Sequence, residues 1–238
     1  MENFLERKLN FIENEKTRTV AVFMLDLIIN IVVIISLVLI IRSYIISPFQ
    51  VYGPSMCDTL NYLDDRCERA HGEYIIVNKA VYQNFFGWKV GNPNRGDIIV
   101  FRPPQNNKEF FIKRVIGLPG ETVKLIDGYV YIFNDQYPQG YRLEEPYLNS
   151  NNQGNTLPTP GETSVFEVPK GQYFVMGDNR KESSDSRACF KETLINKYCS
   201  KPGASAYLKP EQIEGKAWIV LWPVYKIGVL ESAKYAGL

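Results

Sequence analysis

Two residue types in this chain have the chemistry to cleave an amide bond together: a serine hydroxyl and a lysine amine. Lys113 lies in the apolar run FFIKRVIGL at residues 110–118, where a charged side chain is unexpected. Read with the two-residue period of a strand, Lys113 shares a face with Phe111 and Val115 and therefore faces a dry surface. Loss of water favours the neutral amine, which can act as a general base. The chain has one histidine, His71, so few other bases compete, and a Ser/Lys mechanism becomes the hypothesis to test.

An apolar segment at residues 20–41 is the second conspicuous feature. Of its 22 residues, 17 are Ile, Leu, Val or Phe, and a helix of that length spans about 33 Å, enough to cross a hydrocarbon core. Asp26 and Asn30 oppose insertion, but an acidic residue costs about 3 kcal/mol, whereas each apolar residue contributes about 0.3 to 0.6 kcal/mol in favour. A cleaved secretory signal would be shorter and would end at a small-residue cleavage site, whereas this segment runs into Arg42. The sequence therefore predicts a transmembrane anchor.

Basic residues flank this anchor unequally. Four precede it and one closely follows it: Arg7, Lys8, Lys16 and Arg18, then Arg42. The bias of positive charge toward the inside predicts a single-pass protein of the plasma (inner) membrane with a cytoplasmic N-terminus. We expect a cytoplasmic segment at 1–19, the anchor at 20–41 and an extracytoplasmic catalytic domain at 42–238.

Beyond the anchor the sequence predicts a mainly β domain. Short runs rich in β-branched and aromatic residues are bounded by Gly, Pro and Asn, as is typical of strands. The runs lie at residues 73–82, 97–102, 110–118, 122–133, 164–176 and 215–222. Asp127-Gly128 predicts a tight hairpin within the fourth run. Two stretches near 134–162 and 188–209 lack periodicity, and we interpret them as surface excursions.

The four cysteines fit an extracytoplasmic domain, because disulfides persist outside the cytosol. Cys57 and Cys67 are ten residues apart, as are Cys189 and Cys199. Two local bridges are the simplest of three possible pairings. A zinc site is disfavoured because there is no CxxC pair and a single histidine, so we expect no metal and no cofactor. The formal net charge of +1 gives no indication of a nucleic-acid partner.

Three short motifs appear in order along the outer part: GPSM at residues 53–56, FIKRVIGLPGE at 111–121 and GDNRKESSDSR at 177–187. Together with RGD at 95–97, they closely resemble the conserved boxes of type I signal peptidases. The resemblance covers the anchor and nearly all of the outer domain. It implies one transmembrane helix followed by a β-sheet, β-barrel-like protease domain.

Specific roles follow from this resemblance. It implies that Ser55 attacks the scissile carbonyl through an acyl-enzyme and that neutral Lys113 serves as its base. Ser183 matches the position that orients the lysine amine. Two charged pairs match supporting positions behind the site: Arg114 with Asp178, and Asp185 with Arg187.

The same resemblance implies the substrate. Relatives cut secretory preproteins and hold them as an added β-strand, with shallow pockets for small residues one and three positions before the cut. The edge expected to bind that strand lies just before the nucleophile, at Phe49, Gln50, Val51 and Tyr52. The expected partners are therefore preproteins and membrane lipid.

The chain departs from the family pattern at two positions. Many relatives carry a hydroxyl residue two positions before the nucleophile, where this chain has Gly53. The box usually reads SMxPTL, whereas residues 55–60 read SMCDTL, with Asp58 in place of proline. Our hypothesis is that a Cys57–Cys67 bridge supplies the lost rigidity.

These departures leave one alternative of a different class, a weakly active or inactive signal-peptidase-like module that binds peptides. The retained Ser55, Lys113 and Ser183 weigh against it, because a pure binder has no need of a lysine amine on an apolar face. A self-cleaving repressor also uses Ser and Lys, but it would need a DNA-binding segment in place of the anchor. The sequence therefore favours the peptidase.

Overall fold

The computed structural model describes residues 14–63, 66–85, 88–104, 108–191, 199 and 202–236. Arg7 and Lys8, and residues 192–198 of the second predicted excursion, lie outside these ranges. The chain divides into two compact units, with the boundary between Ile46 and Ser47.

The first unit contains one long helix, α1 (Glu15–Ile40), which begins before the apolar segment and continues into a wider turn at Ile41–Ile45. Asn14 caps its start by accepting a hydrogen bond from a first-turn backbone amide. Asp26 and Asn30, which oppose membrane insertion, lie one turn apart and form a hydrogen bond of 3.3 Å. Among the described residues, this is the one helix with the length and composition to cross a membrane.

The second unit is built from short strands. In chain order they are β1 (Ile46–Tyr52), β2 (Tyr62–Leu63), β3 (Arg66–Cys67), β4 (His71–Asn78), β5 (Asn84–Phe85), β6 (Trp88–Lys89), β7 (Ile98–Phe101), β8 (Phe111–Gly117), β9 (Thr122–Ile126), β10 (Tyr129–Phe133), β11 (Tyr141–Arg142), β12 (Val165–Glu167), β13 (Phe174–Met176), β14 (Ile213–Trp222) and β15 (Gly228–Val229). The predicted fold class, a mainly β domain after one helix, is confirmed.

Two sheets carry most of these strands. The larger one has the order β1-β4-β14-β7-β8-β13, with β15 paired to β14. The smaller one has the order β11-β10-β9-β12, and its β9–β10 hairpin turns at the predicted Asp127-Gly128. Asp127 and Gly128 both have positive φ, as this turn type requires.

The larger sheet is buried on both faces around β7 and β8. Every residue of β7 is buried, and the two-residue period sends Ile98 and Val100 to one apolar cluster and Ile99 and Phe101 to another. The neighbouring β8 is in register with it, with Ile99 opposite Lys113. Two successive charged residues of β8 are thereby placed in protein interior on opposite faces of the sheet.

The sheet has two open edges that lie close to each other. β1 is its first strand, and β13 pairs with β8 only from Arg114 onward. Among the described strands, the stretch of β8 before Arg114 is therefore paired with β7 alone. The rings of Phe49 on β1 and Phe110 just before β8 meet edge to face, 4.9 Å between centroids. The sheet must curl to bring these edges together.

The stretch at 134–162, predicted as a surface excursion, is partly integrated into the core. It contains the strand β11, and several of its side chains are buried: Leu143, Glu145, Leu148, Asn152 and Thr156. Buried polar groups need partners, and those partners come from the 177–187 motif and from Asp58, as described below. Both predicted disulfides, Cys57–Cys67 and Cys189–Cys199, are present.

Candidate active site

Ser55 and Lys113 are in direct contact. The Lys113 Nζ atom lies 2.7 Å from Ser55 Oγ and 2.8 Å from the carbonyl oxygen of Ile112. Only 3% of Lys113 is exposed to solvent, and its amine lies 5.3 Å from the centroid of the Phe111 ring. A neutral amine in this position can accept the serine proton, which is the geometry that a nucleophile and its base require.

A tight turn at residues 53–60, directly after β1, presents Ser55. We call it the nucleophile turn, after the role predicted for that serine. The amide of Cys57 donates to the carbonyl of Pro54 at 3.0 Å, and the amide of Leu60 donates to Met56 at 2.8 Å. Met56 and Leu60 are fully buried in the apolar cluster under the turn. Burial of the residues that follow Ser55 therefore fixes the backbone and leaves the hydroxyl facing the amine.

The backbone conformation at Asp58 explains why this turn has no proline where the family box SMxPTL usually has one. The φ of Asp58 is 100°, and a proline ring holds φ near about −65°. The Asp58 carboxylate accepts hydrogen bonds from the Asn149 amide at 3.0 Å and from Asn152 Nδ2 at 3.2 Å. The side chain thus ties the nucleophile turn to the 134–162 stretch, while the adjacent Cys57–Cys67 bridge ties the turn to β3.

A buried ion pair lies behind the site. Arg114 donates to Asp178 through Nε at 2.9 Å and through Nη2 at 2.6 Å. Thr59, in the nucleophile turn, donates to the same carboxylate. Burial alone would lower the pKa of Arg114, but the adjacent Asp178 outweighs it and raises that pKa, so the guanidinium remains charged. The pair connects all three sequence motifs.

The second supporting pair organises the 177–187 motif itself. Arg187 Nε lies 2.9 Å from Asp185 Oδ1, and Nη2 lies 2.8 Å from Oδ2. Burial tends to raise the pKa of Asp185, but the Arg187 charge and hydrogen bonds, including one from the Gly177 amide, lower it. The motif then contacts the nucleophile directly, because the Asn179 amide donates to the carbonyl oxygen of Ser55 at 3.1 Å.

Ser183 is enclosed beside the nucleophile. A methyl group added at Gly177 would lie 2.2 Å from Ser183 Oγ and 2.3 Å from the carbonyl oxygen of Ser55, so no side chain fits there. The Ser183 hydroxyl is buried, and the partner indicated for it is the neighbouring Asp185 carboxylate, whose pKa it helps to lower. Its bond to the Lys113 amine therefore stays a prediction.

These groups open into a cleft of about 1020 Å³. The residues predicted to bind the substrate strand and the predicted catalytic residues all line it, as does Ser183: Phe49, Gln50, Val51, Tyr52, Ser55, Lys113 and Ser183. Arg187 also reaches the lining, whereas Arg114, Asp178 and Asp185 lie behind it. Within the described part of the chain, no group of three or more His, Cys, Asp or Glu side chains is arranged to hold a metal ion.

Sequence reasoning missed part of this cleft. Leu157, Pro158, Thr159 and Pro160 line it, and so does Arg180, which was not singled out within its motif. Arg180 is buried and donates to Glu145 at 2.9 Å and to Thr156 Oγ1 at 2.6 Å. Neither Arg180 nor the polar, proline-containing stretch that precedes its motif gives a local signal of this distant pairing.

Comparison with known proteins agrees with this geometry. The family described as signal peptidase, peptidase S26, matches residues 24–222. Signal peptidase I T of Bacillus subtilis (strain 168) is 39% identical over 162 residues, which cover 66% of this chain and 72% of that protein. Signal peptidase IB of Staphylococcus aureus (strain N315) is 31% identical over 216 residues, 84% of this chain and 90% of that protein.

A crystal structure of a signal peptidase I from Enterococcus faecalis V583 is 34% identical and covers 52% of this chain and 96% of its own, with a TM-score of 0.36. The family match extends from within α1 to the end of β14 and so includes all three motifs. The chain therefore belongs to the signal peptidase family, peptidase S26.

Proposed function

We propose that this protein is a membrane-anchored serine endopeptidase that removes N-terminal signal peptides from exported preproteins with a Ser55/Lys113 pair. The observation that carries the proposal is the 2.7 Å contact between Lys113 Nζ and Ser55 Oγ inside the cleft. The family membership supports the same substrate class, because the named relatives are signal peptidases.

The chemistry proceeds through an acyl-enzyme. Neutral Lys113 takes the hydroxyl proton as Ser55 Oγ attacks the scissile carbonyl carbon, and the amide C–N bond breaks. The protonated lysine then gives that proton to the departing amine of the mature chain. In the second half, Lys113 activates a water that hydrolyses the Ser55 ester and releases the signal peptide as a carboxylate. Burial of the lysine supports this role, because a dry site disfavours its charged form.

The oxyanion of each tetrahedral intermediate needs hydrogen-bond donors. The backbone amide of Ser55 is the donor that we assign, as in other acyl-transfer sites built on a tight turn. Gly53 offers no side-chain hydroxyl, and a methyl group placed there would have no heavy atom within 4 Å. The nucleophile turn therefore relies on backbone groups for this task.

The two open edges of the larger sheet support binding of the preprotein as an extended strand. Residues Phe49–Tyr52 of β1 and the first residues of β8 have unpaired edges and line the same cleft. A peptide between them would form main-chain hydrogen bonds on one or both sides, which gives affinity independent of sequence. Pockets between alternate side chains would then select small residues one and three positions before the cut.

The anchor completes the proposal. Lys16 and Arg18 precede the apolar part of α1, and the bias of positive charge toward the inside then places the N-terminus in the cytoplasm and the catalytic unit outside. A signal peptide in the same bilayer presents its cleavage site on that side. Protease digestion of intact spheroplasts tests this orientation, because the catalytic unit should be degraded while an N-terminal tag stays protected.

The central test compares the full-length enzyme in detergent with its Ser55→Ala and Lys113→Met variants on a purified preprotein. Methionine preserves much of the length and volume of the lysine side chain but has no amine. Both variants are expected to lose at least about 1,000-fold in the rate of mature-chain formation, since each removes one member of a unit. The product N-terminus is identified by mass spectrometry.

Lys124→Met is the matched control, because Lys124 lies on β9, packs against the Phe133 ring and is absent from the cleft lining. It should cleave at the wild-type rate. Persistent cleavage in both Ser55→Ala and Lys113→Met would contradict the mechanism. Peptide binding without cleavage by the wild type would favour the binding-module alternative.

A further inference from the structure

The cleft extends beyond the part that an incoming strand needs before the cut. Part of the lining comes from β1 and the start of β8, to which the proposed function assigns the residues preceding the scissile bond. Another part comes from the 177–187 motif and from residues 157–160, of sequence LPTP. We call residues 157–160 the LPTP segment.

The LPTP segment is fixed in place by two buried arginines. Arg187 Nη1 donates to the carbonyl oxygen of Leu157 at 3.1 Å. Arg180 Nη1 donates to the preceding Thr156 side chain at 2.6 Å, and the Thr156 amide donates to the carbonyl of Gly128 at 2.9 Å. The backbone that leads into the segment is thus held from both the 177–187 motif and the β9–β10 hairpin.

The 177–187 motif also contacts Ser55, the proposed nucleophile. The Asn179 amide donates to the Ser55 carbonyl, while Arg180 and Arg187 hold the LPTP segment. The position of the segment relative to Ser55 is therefore set by an 11-residue motif that is cross-linked internally by the Asp185–Arg187 pair. A wall fixed in this way can discriminate between substrate side chains, because it does not move aside.

The segment is largely apolar: three of its four side chains have no polar atom, and Thr159 has a hydroxyl. Leu157 is 61% exposed although its carbonyl is anchored, so its side chain faces the open cleft. Pro158 and Pro160 have no backbone N–H and cannot pair with an incoming peptide as a strand would. Apolar side-chain surface is therefore the main contact that the segment offers to a substrate.

The direction of the substrate follows from the order of these parts. The residues before the cut lie along Phe49–Tyr52, and the chain reaches Ser55 at the end of that edge. A peptide that continues past Ser55 meets the 177–187 motif, whose Asn179 amide binds the Ser55 carbonyl and whose Arg187 side chain binds the LPTP segment. We propose that Leu157 and its flanking prolines form a subsite for the first residues of the mature chain, selecting a bulky apolar side chain within three positions after the cut.

This inference rests on the proposed function and is tested with preproteins that share one signal peptide. The first three positions after the cut are varied in turn among Gly, Leu, Phe and Asp, and kcat/KM is measured for wild type and Leu157→Ala. For substrates with Leu or Phe at the preferred position, Leu157→Ala is expected to lower kcat/KM by about tenfold, since it removes most of one apolar contact. The Gly series should be unchanged, and Leu157→Met should restore the preference.

The control variant is Val165→Ala, because Val165 is also an exposed aliphatic residue but lies on β12 and outside the cleft lining. This variant should leave the ratios of kcat/KM between the substrates at their wild-type values. Selection at the position before the cut, measured by replacing Ala with Leu there, should be the same in every variant.

Three results would overturn the subsite. The first is an unchanged Phe-to-Gly ratio in Leu157→Ala, and the second is an equal fall for every substrate, which would indicate a structural role. A preference for Asp that is independent of Leu157 would assign this side of the cleft to charged groups and would also overturn it. Absence of cleavage by the wild type is a different result, since it contradicts the proposed function itself.

Discussion

Arg114 and Asp178 form a two-pronged ion pair in the protein interior, with each side chain at most 2% exposed. Arg114 directly follows Lys113 on β8, and Asp178 belongs to the motif that contacts Ser55. Thr59 joins the pair from the nucleophile turn. The relative position of Ser55 and Lys113 is therefore tied to one pair of buried charges.

Asp178→Asn is expected to destabilise the protein by about 3 to 5 kcal/mol, because it leaves a buried guanidinium without its counter-charge. Urea unfolding of the full chain in detergent, followed by tryptophan fluorescence, measures this change. Glu182→Gln removes a carboxylate from the solvent-exposed pair with Arg69 and should cost at most about 1 kcal/mol. Equal effects of the two variants would contradict the role assigned to the buried pair.

Gly177→Ala is expected to reduce activity more than stability. The added methyl group overlaps Ser183 Oγ and the Ser55 carbonyl oxygen, so the nucleophile turn must shift away from Lys113. We expect a fall of about 100-fold in kcat, in line with the cost of an ångström-scale displacement at a reacting centre. Gly171→Ala is the control: it has a positive φ and open space around the added methyl group, so it should cost about 1 kcal/mol of backbone strain and leave kcat unchanged. A lower kcat in both variants would indicate a general loss of folded protein.

Asp58→Pro, which restores the residue usual in relatives, is expected to damage this enzyme. The φ of 100° at this position is inaccessible to proline, and the substitution also removes the acceptor of the Asn149 and Asn152 hydrogen bonds. We expect a loss of about 3 kcal/mol or more in unfolding free energy, together with slower acylation of Ser55 by a serine-directed probe. Asp58→Asn keeps one acceptor oxygen and should be mild. Wild-type stability of Asp58→Pro would mean that the turn can adopt the family conformation.

The Asp97 carboxyl group is expected to make the free energy of unfolding depend on pH. Burial alone would raise its pKa, but hydrogen bonds from Lys216, Ser232, Tyr82 and a backbone amide lower it in the folded protein. A lowered folded-state pKa stabilises the protein above the unfolded value of about 3.9, and this contribution is lost as the pH falls through the folded-state value. The stability difference between wild type and Asp97→Asn should therefore shrink below about pH 4. A difference that stays constant from pH 7 to pH 3 would exclude this origin.

Much of the fold and the burial of Lys113 were predictable from local patterns. The two-residue strand period across residues 110–118 predicted that Lys113 and Arg114 point to opposite faces of the sheet. Both side chains are buried in the structure, because the sheet is covered on both faces. Equal ten-residue spacings predicted both disulfides. These features depend on residues near each other in sequence, where spacing and geometry are directly related.

Features that depend on distant contacts were not predictable. β1 contains Pro48 and alternates weakly, so its sequence does not resemble a strand, although an edge strand tolerates proline. The 134–162 stretch lacks periodicity because buried polar groups, among them Glu145 and Asn152, hold it in place through Arg180 and Asp58. No local pattern indicates which distant charge will satisfy such groups.

The cross-link at Cys57 begins two residues after the nucleophile and closes the loop that carries Leu60 and Asn61. Protein synthesised in a reducing host would lack this covalent closure, and the loop-entropy model attributes about 3 kcal/mol to a ring of that size. Recombinant material for kinetic work therefore has to be secreted into an oxidising compartment or refolded with a thiol-disulfide couple. Thiol labelling before each assay, followed by mapping of the labelled peptides, would report what fraction of a preparation has the Cys57–Cys67 bridge.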